Sequence, residues 1–505
     1  MKRKTLRLFC SLLACTLLTG CASKSASPAP GVTLLPVVSA HTAPENDESQ
    51  QYTQTVLLYL PSLDGTRLIA LPRSVTLSAS RRPAETLLSL LFAQSETEET
   101  TPLGGDVTLR LSELHPVEIS GDVATVSLGA SALRLSREAF FTVGQAIANT
   151  LCQFGDLRYV NVLIADAQPG LDVAGTLPAG CFRFNEREDL TTLWSRAAAS
   201  SSTRRTIAAA LYYPAAEGKG VLCEGRLLSF GDLSPAGLMT TLLEALSTRA
   251  ETLSCTPAMP DLINQLAQAP TLNEANGQRI MVLRFQDALN GILLSGGITR
   301  SVMVASLVCT AHTFIPGLDG VEIWIGSEQL TSLTPLSTYN GAGETMRFDR
   351  GLMKRGDFSD FLLSCCTLYF ANADGELVAV KRPIPFYSAG NPRAVINELM
   401  RGPQPYDSLS GLLPVLPDGL QDADLIGVSL DQSAMVLNFS DQLLRLCQDM
   451  PPQRERSLIY AVVNTLCRLP GVKRVSFFVM GQQPETLAGA VFLPGDFLPR
   501  PDDSD

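Results

Sequence analysis

Three short apolar runs, each followed by an acidic residue and a glycine, divide the chain into stretches of similar design. The runs and their acidic–Gly pairs are Leu57–Leu60 with Asp64-Gly65, Ala210–Tyr213 with Glu217-Gly218, and Thr367–Phe370 with Asp374-Gly375. A second extended run follows each pair, so each stretch predicts a β-hairpin. Tyr59, Tyr212 and Tyr369 recur at intervals of about 155 residues, a period that fits a domain and exceeds that of a solenoid repeat.

The three stretches also end alike, on a helix with one apolar face followed by a strand. The apolar positions are Phe140, Ile147, Leu151 and Phe154 in the first copy, and Leu458, Ile459, Val462, Val463, Leu466 and Leu469 in the third. These spacings predict one buried helix face. Pro316-Gly317 and Pro470-Gly471 are expected to end the helix in the second and third copies.

A shorter helix is predicted after each opening hairpin. It begins near Pro83, Pro235 and Pro392, because proline fits the first turn of a helix. We therefore predict an α+β fold of three tandem repeats, each a mixed β-sheet with two helices packed on one face. The expected domain bounds are 52–190, 205–335 and 364–499.

The first twenty residues have the layout of a bacterial export signal. Basic residues precede the apolar stretch Leu8–Leu18, which is too short to span a membrane. Leu18-Thr19-Gly20-Cys21 resembles a lipobox, in which small residues precede a cysteine that receives a lipid. We predict removal of residues 1–20, lipidation of Cys21 and a place on the extracytoplasmic face of the cell membrane. An ordinary signal peptide with an incidental cysteine is the alternative.

Residues 21–51 are rich in Ser, Ala, Pro and Thr and lack periodicity, which predicts a flexible tether behind the anchor. Hydrophobic residues make up 45% of the chain and charged residues 18%, so the remainder can form folded cores. The net charge is −11, and loss of four basic signal residues makes it −15. This balance argues against nucleic acid as a partner and leaves the lipid on Cys21 as the membrane contact.

The cysteines and histidines predict neither a metal site nor a catalytic site. Nine of the 12 cysteines remain beyond Cys21, and none has the spacing of a zinc site. Cys152 and Cys467 fall in apolar helical patterns, where a small buried side chain is expected. The histidines of the mature chain are His41, His115 and His312. None accompanies a nucleophile motif, so we expect no catalytic residue and no cofactor.

Two sets of polar residues keep an alternative open. Asp422, Asp424 and Asp431 cluster in loops, where solvated carboxylates are common, although a pair of carboxylates is also the device of a cell-wall hydrolase. Asn149 and Asn464 recur on the second helix of two copies. We interpret them as packing residues that bind neighbouring backbone, the alternative being a shared ligand site.

The third copy resembles the GerMN domain of sporulation and germination proteins. The resemblance rests on motifs spread over about Cys365 to Leu498. They are Leu368-Tyr369-Phe370 with Asp374-Gly375, Ile396 to Pro403, Gly411 to Pro414 with Leu416 to Gly419, Ala434 to Ser440, and Val463 to Leu466 ahead of Pro470-Gly471-Val472. The first copy lacks the Gly-Pro after its short helix, and the second also lacks the Asn-Thr pair.

The resemblance implies a compact unit that binds other proteins of the cell envelope, and it brings no catalytic residues. The resulting hypothesis is a non-enzymatic, lipid-anchored scaffold with envelope or sporulation proteins as partners, in spore formation or germination. The sequence leaves open whether the protein forms a homo-oligomer. The rival classes are a solute-binding lipoprotein, which two lobes and a hinge would indicate, and a cell-wall hydrolase.

Overall fold

One order of elements occurs three times along the chain in the computed structural model. The model describes residues 41–47, 51–78, 83–172, 175–198, 205–338, 343–407 and 411–500, and these lie in one compact unit, Ser39–Asp505. Cys21, the signal segment and the predicted tether up to residue 40 lie outside the described residues.

Each copy contains a hairpin, a helix, a second hairpin, a longer helix and a strand. Copy one contains β1 (Gln51–Pro61), β2 (Leu68–Ser78), α1 (Pro83–Phe92), β3 (Val117–Ser120), β4 (Val123–Leu128), α2 (Arg137–Leu151), β5 (Tyr159–Ile164), β6 (Cys181–Phe182) and a trailing α3 (Leu190–Ala198). Copy two contains β7 (Arg205–Pro214), β8 (Val221–Phe230), α4 (Pro235–Leu246), β9 (Leu266–Ala275), β10 (Gln278–Phe285), α5 (Leu289–Ser295), α6 (Arg300–Phe314), β11 (Gly320–Ile325) and β12 (Glu328–Gln329).

A connector with β13 (Ser332–Leu333) and β14 (Met346–Arg347) leads to copy three. Copy three contains β15 (Leu363–Ala371), β16 (Leu377–Pro385), α7 (Pro392–Met400), β17 (Leu425–Asp431), β18 (Ala434–Phe439), α8 (Gln442–Cys447), α9 (Pro452–Leu466) and β19 (Arg474–Val479). Short 3-10 turns lie at Ala130–Arg134, Asp349–Gly351, Arg355–Phe361, Phe386–Ser388 and Asp422–Asp424.

The sheets repeat in topology as well as in order. The opening strands pair antiparallel as β1–β2, β7–β8 and β15–β16. The later strands form a mixed sheet whose middle strand has one antiparallel and one parallel neighbour, in the orders β3-β4-β5, β9-β10-β11 and β17-β18-β19. The predicted mixed α+β fold of three tandem copies is confirmed. The opening hairpin, however, forms a two-stranded sheet of its own among the described strands.

The shorter helices begin at Pro83, Pro235 and Pro392, as the sequence predicts. In the second and third copies a polar side chain completes the first turn: Ser234 accepts a hydrogen bond from the N–H of Gly237, and Asn391 accepts one from Ala394. Such caps satisfy backbone N–H groups that have no partner within the helix.

The longer helix of copy two is buried along its length, which the apolar-stripe prediction does not anticipate. From Ser301 to Phe314 every residue of α6 is buried. It packs against β7 on one side and against the connector turn Arg355–Phe361 on another. A helix covered on all sides needs no polar face.

Among the described residues, no single helix is long and apolar enough to cross a membrane. Taken together, α5 and α6 have the length and apolar composition of a span, but the two helices meet at 107°.

The end of the predicted tether is bound to copy three. The carbonyl of Pro44 accepts a hydrogen bond from Asn438, 2.9 Å away, and the Asp47 carboxylate binds Arg393 at 2.8 Å. His41 contacts Asp431 and Asp496. A flexible tether is therefore the wrong description of residues 41–47, because its polar groups find partners on β17, β18 and α7.

Buried apolar residues of copies one and three form one continuous cluster. Those of copy two form a second cluster, which also includes Val123 and Tyr159 of copy one and Leu363 of copy three. At one contact between copies one and three, Gly471 faces the ring of Tyr52. Gly471 has φ +79°, and a Cβ there would lie 2.5 Å from that ring. Gly317, at the same place in copy two, has φ +60° but would meet only the tip of Arg279, at 3.2 Å.

We therefore expect Gly471→Ala to destabilise the protein more than Gly317→Ala. Both changes place a side chain in the left-handed backbone region, at about 1–2 kcal/mol. Gly471→Ala must also displace the Tyr52 ring, which adds about 1–3 kcal/mol of overpacking. Denaturant unfolding of the two variants measures the difference. Equal losses would show that the Tyr52 contact contributes nothing.

Candidate functional site at the junctions between the copies

A threonine of the long helix binds the backbone of the recurrent tyrosine in all three copies. The N–H groups donate from Tyr59 to Thr150 Oγ1 at 3.3 Å, from Tyr212 to Thr310 Oγ1 at 3.0 Å and from Tyr369 to Thr465 Oγ1 at 3.1 Å. The bond fixes the opening strand to the helix across about 90 residues of chain. Copy two thus keeps the threonine of the Asn-Thr pair, and Cys309 stands in the place of the asparagine.

The recurrent asparagines bind backbone at matching places. Asn149 Oδ1 accepts from the N–H of Asn185 at 2.9 Å while its amide donates to the carbonyl of the same residue at 2.8 Å. Asn464 does the same with Arg500, at 2.9 and 3.3 Å. Both partners lie 36 residues further along the chain. The packing interpretation of these asparagines is confirmed.

The tyrosine rings are buried, and each hydroxyl meets a charged side chain. Tyr59 donates to Glu186, Arg468 donates to the Tyr369 hydroxyl at 3.0 Å, and Arg355 donates to the Tyr212 hydroxyl at 3.4 Å. Two of these partners belong to the same copy as the tyrosine. Arg355 belongs to the connector, so in copy two the tyrosine joins separate parts of the chain.

Arg355 is a fully buried cation between copies one and two. Its guanidinium donates to Asp166, at 2.7 Å, and to Glu118. Glu118 lies on β3 and Asp166 follows β5, so both carboxylates belong to copy one. Although burial disfavours a charge, Tyr212, Glu118 and Asp166 raise the pKa of Arg355, which stays protonated. Burial raises the pKa of Glu118, and contact with Arg355 opposes that rise.

Backbone groups of β8 complete the junction between copies one and two. Ser120 Oγ accepts from the N–H of Cys223 at 2.8 Å, and Asp122 accepts from the N–H of Gly225 at 3.0 Å. A side chain at position 225 would collide with the ring of Tyr159, because a Cβ there would lie 2.4 Å from it. The edge of the copy-one sheet is thereby fastened to the opening hairpin of copy two.

Glu217 makes the corresponding link between copies two and three. Its carboxylate accepts hydrogen bonds from Arg401 at 3.0 Å and Tyr406 at 2.8 Å in copy three, and from Lys219 at 2.8 Å beside it. Partial burial raises the pKa of Glu217, but these donors outweigh it and lower the pKa to about 2. The acidic–Gly turn recognised in the sequence is thus also a contact between copies.

A cavity of about 460 Å³ lies where copies one and three meet. Copy one contributes Tyr52, Leu87 and Leu151, and copy three contributes Val395 and Leu469. Lys381, Arg468 and Asp156 add charge to its wall. The sequence gives no sign of this cavity, because its two walls are separated by about 300 residues of chain.

The structure places His41 apart from His115 and His312, which both lie near the charges of Asp166 and Arg355. His41 contacts Asp431 and Asp496 of copy three, and His312 is buried on α6. Burial lowers the pKa of both His312 and His115. Both imidazoles are therefore neutral at pH 7, and the ring nitrogens of His312 have no hydrogen-bond partner among the described residues.

The three candidate carboxylates are each engaged in a local contact. Asn397 and Arg393 bind Asp422 and lower its pKa. Asp424 accepts hydrogen bonds from Ser440 and from the N–H of Gln421, and Asp431 binds His41. A glycosidase acid needs a raised pKa, which is the opposite of the shift at Asp422.

The described residues contain no group of three or more His, Cys, Asp or Glu side chains placed to hold a metal. Nine thiols are unpaired in the described chain. Cys152 and Cys467 lie at the ends of α2 and α9 and are partly exposed, so they are less buried than their helical pattern indicates.

Sequence reasoning missed the Arg355 cluster. Arg355 lies in the connector, between the predicted domains 205–335 and 364–499, where no periodicity marks it. Glu118 alternates with apolar residues on a strand, which ordinarily indicates an exposed side chain. The sequence contains one signal of the cluster, which is the acidic residue Glu118 in a short strand whose other face is apolar. This signal does not identify Arg355, which lies 237 residues further along the chain.

Comparison with known proteins identifies the class of the third copy. Residues 367–485 match the family model Germane, described as sporulation and spore germination. The match places a Germane domain in copy three and covers less than half of the chain.

Two solved structures are similar to parts of the chain. The tandem GerMN domains of the sporulation protein GerM from Bacillus subtilis share 17% identity over 58% of this chain and 98% of that chain, with a TM-score of 0.22. The first GerMN domain of the same protein shares 19% identity over 27% of this chain and 97% of that chain, also with a TM-score of 0.22. No curated protein matches the chain.

We expect Thr310→Val to destabilise the protein by about 1–3 kcal/mol, because it leaves the buried N–H of Tyr212 without an acceptor. Thr313→Val is the matched control on the same helix. The Thr313 hydroxyl donates to the carbonyl of Cys309 within the helix, so the Thr313→Val change leaves no N–H group without an acceptor. Thermal and denaturant unfolding measure both. Equal effects would contradict a role for the Thr–Tyr bond.

Arg355→Met should lower the free energy of unfolding by about 3–5 kcal/mol, because it leaves Glu118 buried without its cation. Adding Glu118→Gln should restore part of that loss, since the buried charge is then absent. The comparison is a double-mutant cycle measured by denaturant unfolding. Strictly additive losses would refute a direct interaction between the two side chains.

Proposed function

We propose that the protein is a lipid-anchored, extracytoplasmic scaffold that binds other proteins of the cell envelope during sporulation or germination. The Germane match supports the biological process, which its family description states. The lipobox ending in Cys21 supports the location. The contacts that join the copies support the scaffold role.

The observation that carries the proposal is that polar bonds cross the junctions between copies, buried at Arg355 and partly buried at Glu217. Arg355 holds two carboxylates of copy one and touches Tyr212 of copy two. Glu217 of copy two holds two side chains of copy three. Copies fixed in this way present one continuous surface, which suits contact with other folded proteins.

The same bonds argue against a solute-binding lipoprotein. A solute binder closes two lobes about a hinge, and hinges are segments that absorb changes in φ and ψ. Here the connector that would act as a hinge carries Arg355, whose buried ion pairs resist opening.

The proposal predicts that Cys21→Ser leaves the protein unprocessed or releases it from membranes, and abolishes labelling by a radioactive fatty acid. Cys21 is the thiol that the lipobox offers as acceptor. Cys15→Ser, within the apolar signal stretch, is the control and should be processed and anchored like the natural protein. Membrane fractionation and labelling decide between the outcomes. A Cys21→Ser protein that is normally cleaved and still membrane-bound would refute the anchor.

The hydrolase alternative is distinguished by incubating the purified mature protein with peptidoglycan, with and without divalent metal. The scaffold role requires that no muropeptides appear. Their release, lost when Asp422, Asp424 and Asp431 are changed to Asn, would instead establish the enzyme.

A further inference from the structure

Two cysteines from different copies lie in contact. Cys255 Sγ and Cys365 Sγ are 3.8 Å apart, although the residues are separated by 110 positions in the chain. Cys255 lies in the loop between α4 and β9 of copy two, and Cys365 lies on β15, the opening strand of copy three. We propose that these two thiols form a disulfide that links copy two covalently to copy three.

The backbone on both sides of the pair is held in place. The carbonyl of Cys255 accepts a hydrogen bond from the N–H of Ala216 at 2.9 Å, which fixes the loop to the end of the copy-two hairpin. Cys365 is paired opposite Pro383 within the β15–β16 hairpin. Three residues before Cys365, Leu362 forms a parallel bridge with Val221 of β8. The two thiols therefore meet because the copies are docked.

The remaining distance is within reach of side-chain rotation. A disulfide has an S–S bond of about 2.05 Å, so the sulfurs must approach by about 2 Å. Cys366, the neighbour of Cys365, points elsewhere, because its thiol lies 3.7 Å from the carbonyl of Arg382. The strand alternation thus selects Cys365 as the partner.

The docked arrangement limits access of a protein oxidant to the pair. Cys365 is partly exposed and lines the cavity between copies one and three, whereas Cys255 is buried. Contact with Cys255 and burial raise the pKa of Cys365, so its thiolate is scarce in the docked state. Oxidation is accordingly fastest while copy three is docking, before the pair is enclosed.

The oxidant is a protein disulfide of a thiol–disulfide oxidoreductase. The Cys365 thiolate attacks that disulfide, which forms a mixed disulfide and releases one thiolate of the oxidant. The Cys255 thiolate then attacks the sulfur of Cys365 and releases the second thiolate. Two electrons pass to the oxidant, and the two protons from the cysteines end on its thiols.

The disulfide rests on the proposed function in one respect, because export beyond the cytoplasmic membrane supplies the oxidising compartment. Its effect would be to close a loop of 110 residues, which restricts the unfolded chain and favours the docked arrangement. Together with Glu217, it would make the contact between copies two and three permanent.

The test uses two preparations of the protein. One is the full-length protein recovered from membranes with free thiols blocked at lysis. The other is the chain without residues 1–21, purified reduced from the cytosol, unfolded, and then refolded with oxidised glutathione. In both, we expect alkylation of seven of the nine thiols after denaturation, and a proteolytic peptide that joins Cys255 to Cys365. Reductant should lower the melting temperature by several degrees.

Three variants test which cysteines form the disulfide. Cys255→Ser and Cys365→Ser should each lose the linked peptide and the effect of reductant on the melting temperature. Cys366→Ser is the matched control and should retain both. A folded, glutathione-treated chain with all nine thiols free, or with the link moved to Cys366, overturns the proposal. If that chain cross-links while the membrane-derived protein is reduced, the pairing stands and the export on which the proposed function depends is refuted.

Discussion

The buried guanidinium of Arg355 is the interaction on which the arrangement of the copies depends. A buried charge is costly unless opposite charges surround it, and Arg355 obtains them only when copy one brings Glu118 and Asp166 to the connector. The connector can then cover α6, whose surface has no polar side to leave exposed. The ion pairs of Arg355 therefore couple three features, which are the burial of α6, the course of the connector and the docking of copies one and two.

Within each copy the corresponding constraint is the threonine that accepts from the tyrosine N–H. An opening hairpin with two strands has outer N–H groups that no neighbouring strand satisfies. Thr150, Thr310 and Thr465 satisfy one such group from the long helix. The bond survives in copy two although the adjacent asparagine is replaced by Cys309, which indicates that strand-to-helix attachment is needed more generally than the asparagine contact.

Much of the fold could be predicted because its signals are local. Prolines at 83, 235 and 392 set helix starts, and the acidic–Gly turns set hairpins, with Gly65, Gly218 and Gly375 all at positive φ. The junctions could not be predicted, since they join residues far apart that carry no periodic signal. Arg355 lies in a connector without periodicity, and the sequence marks Glu217 only as a turn residue, because its partners Arg401 and Tyr406 are 184 and 189 residues away. The binding of residues 41–47 to copy three was missed for the same reason.

The junctions also explain why three copies in one chain differ from three separate domains. Copies one and three share one apolar cluster, and copy two shares a second one with residues of both. Charged groups add to the junctions of copy two. An apolar contact tolerates small shifts, whereas hydrogen-bonded ion pairs fix orientation. The charged junctions at Arg355 and Glu217 therefore set the angles between copies, while the apolar clusters supply cohesion.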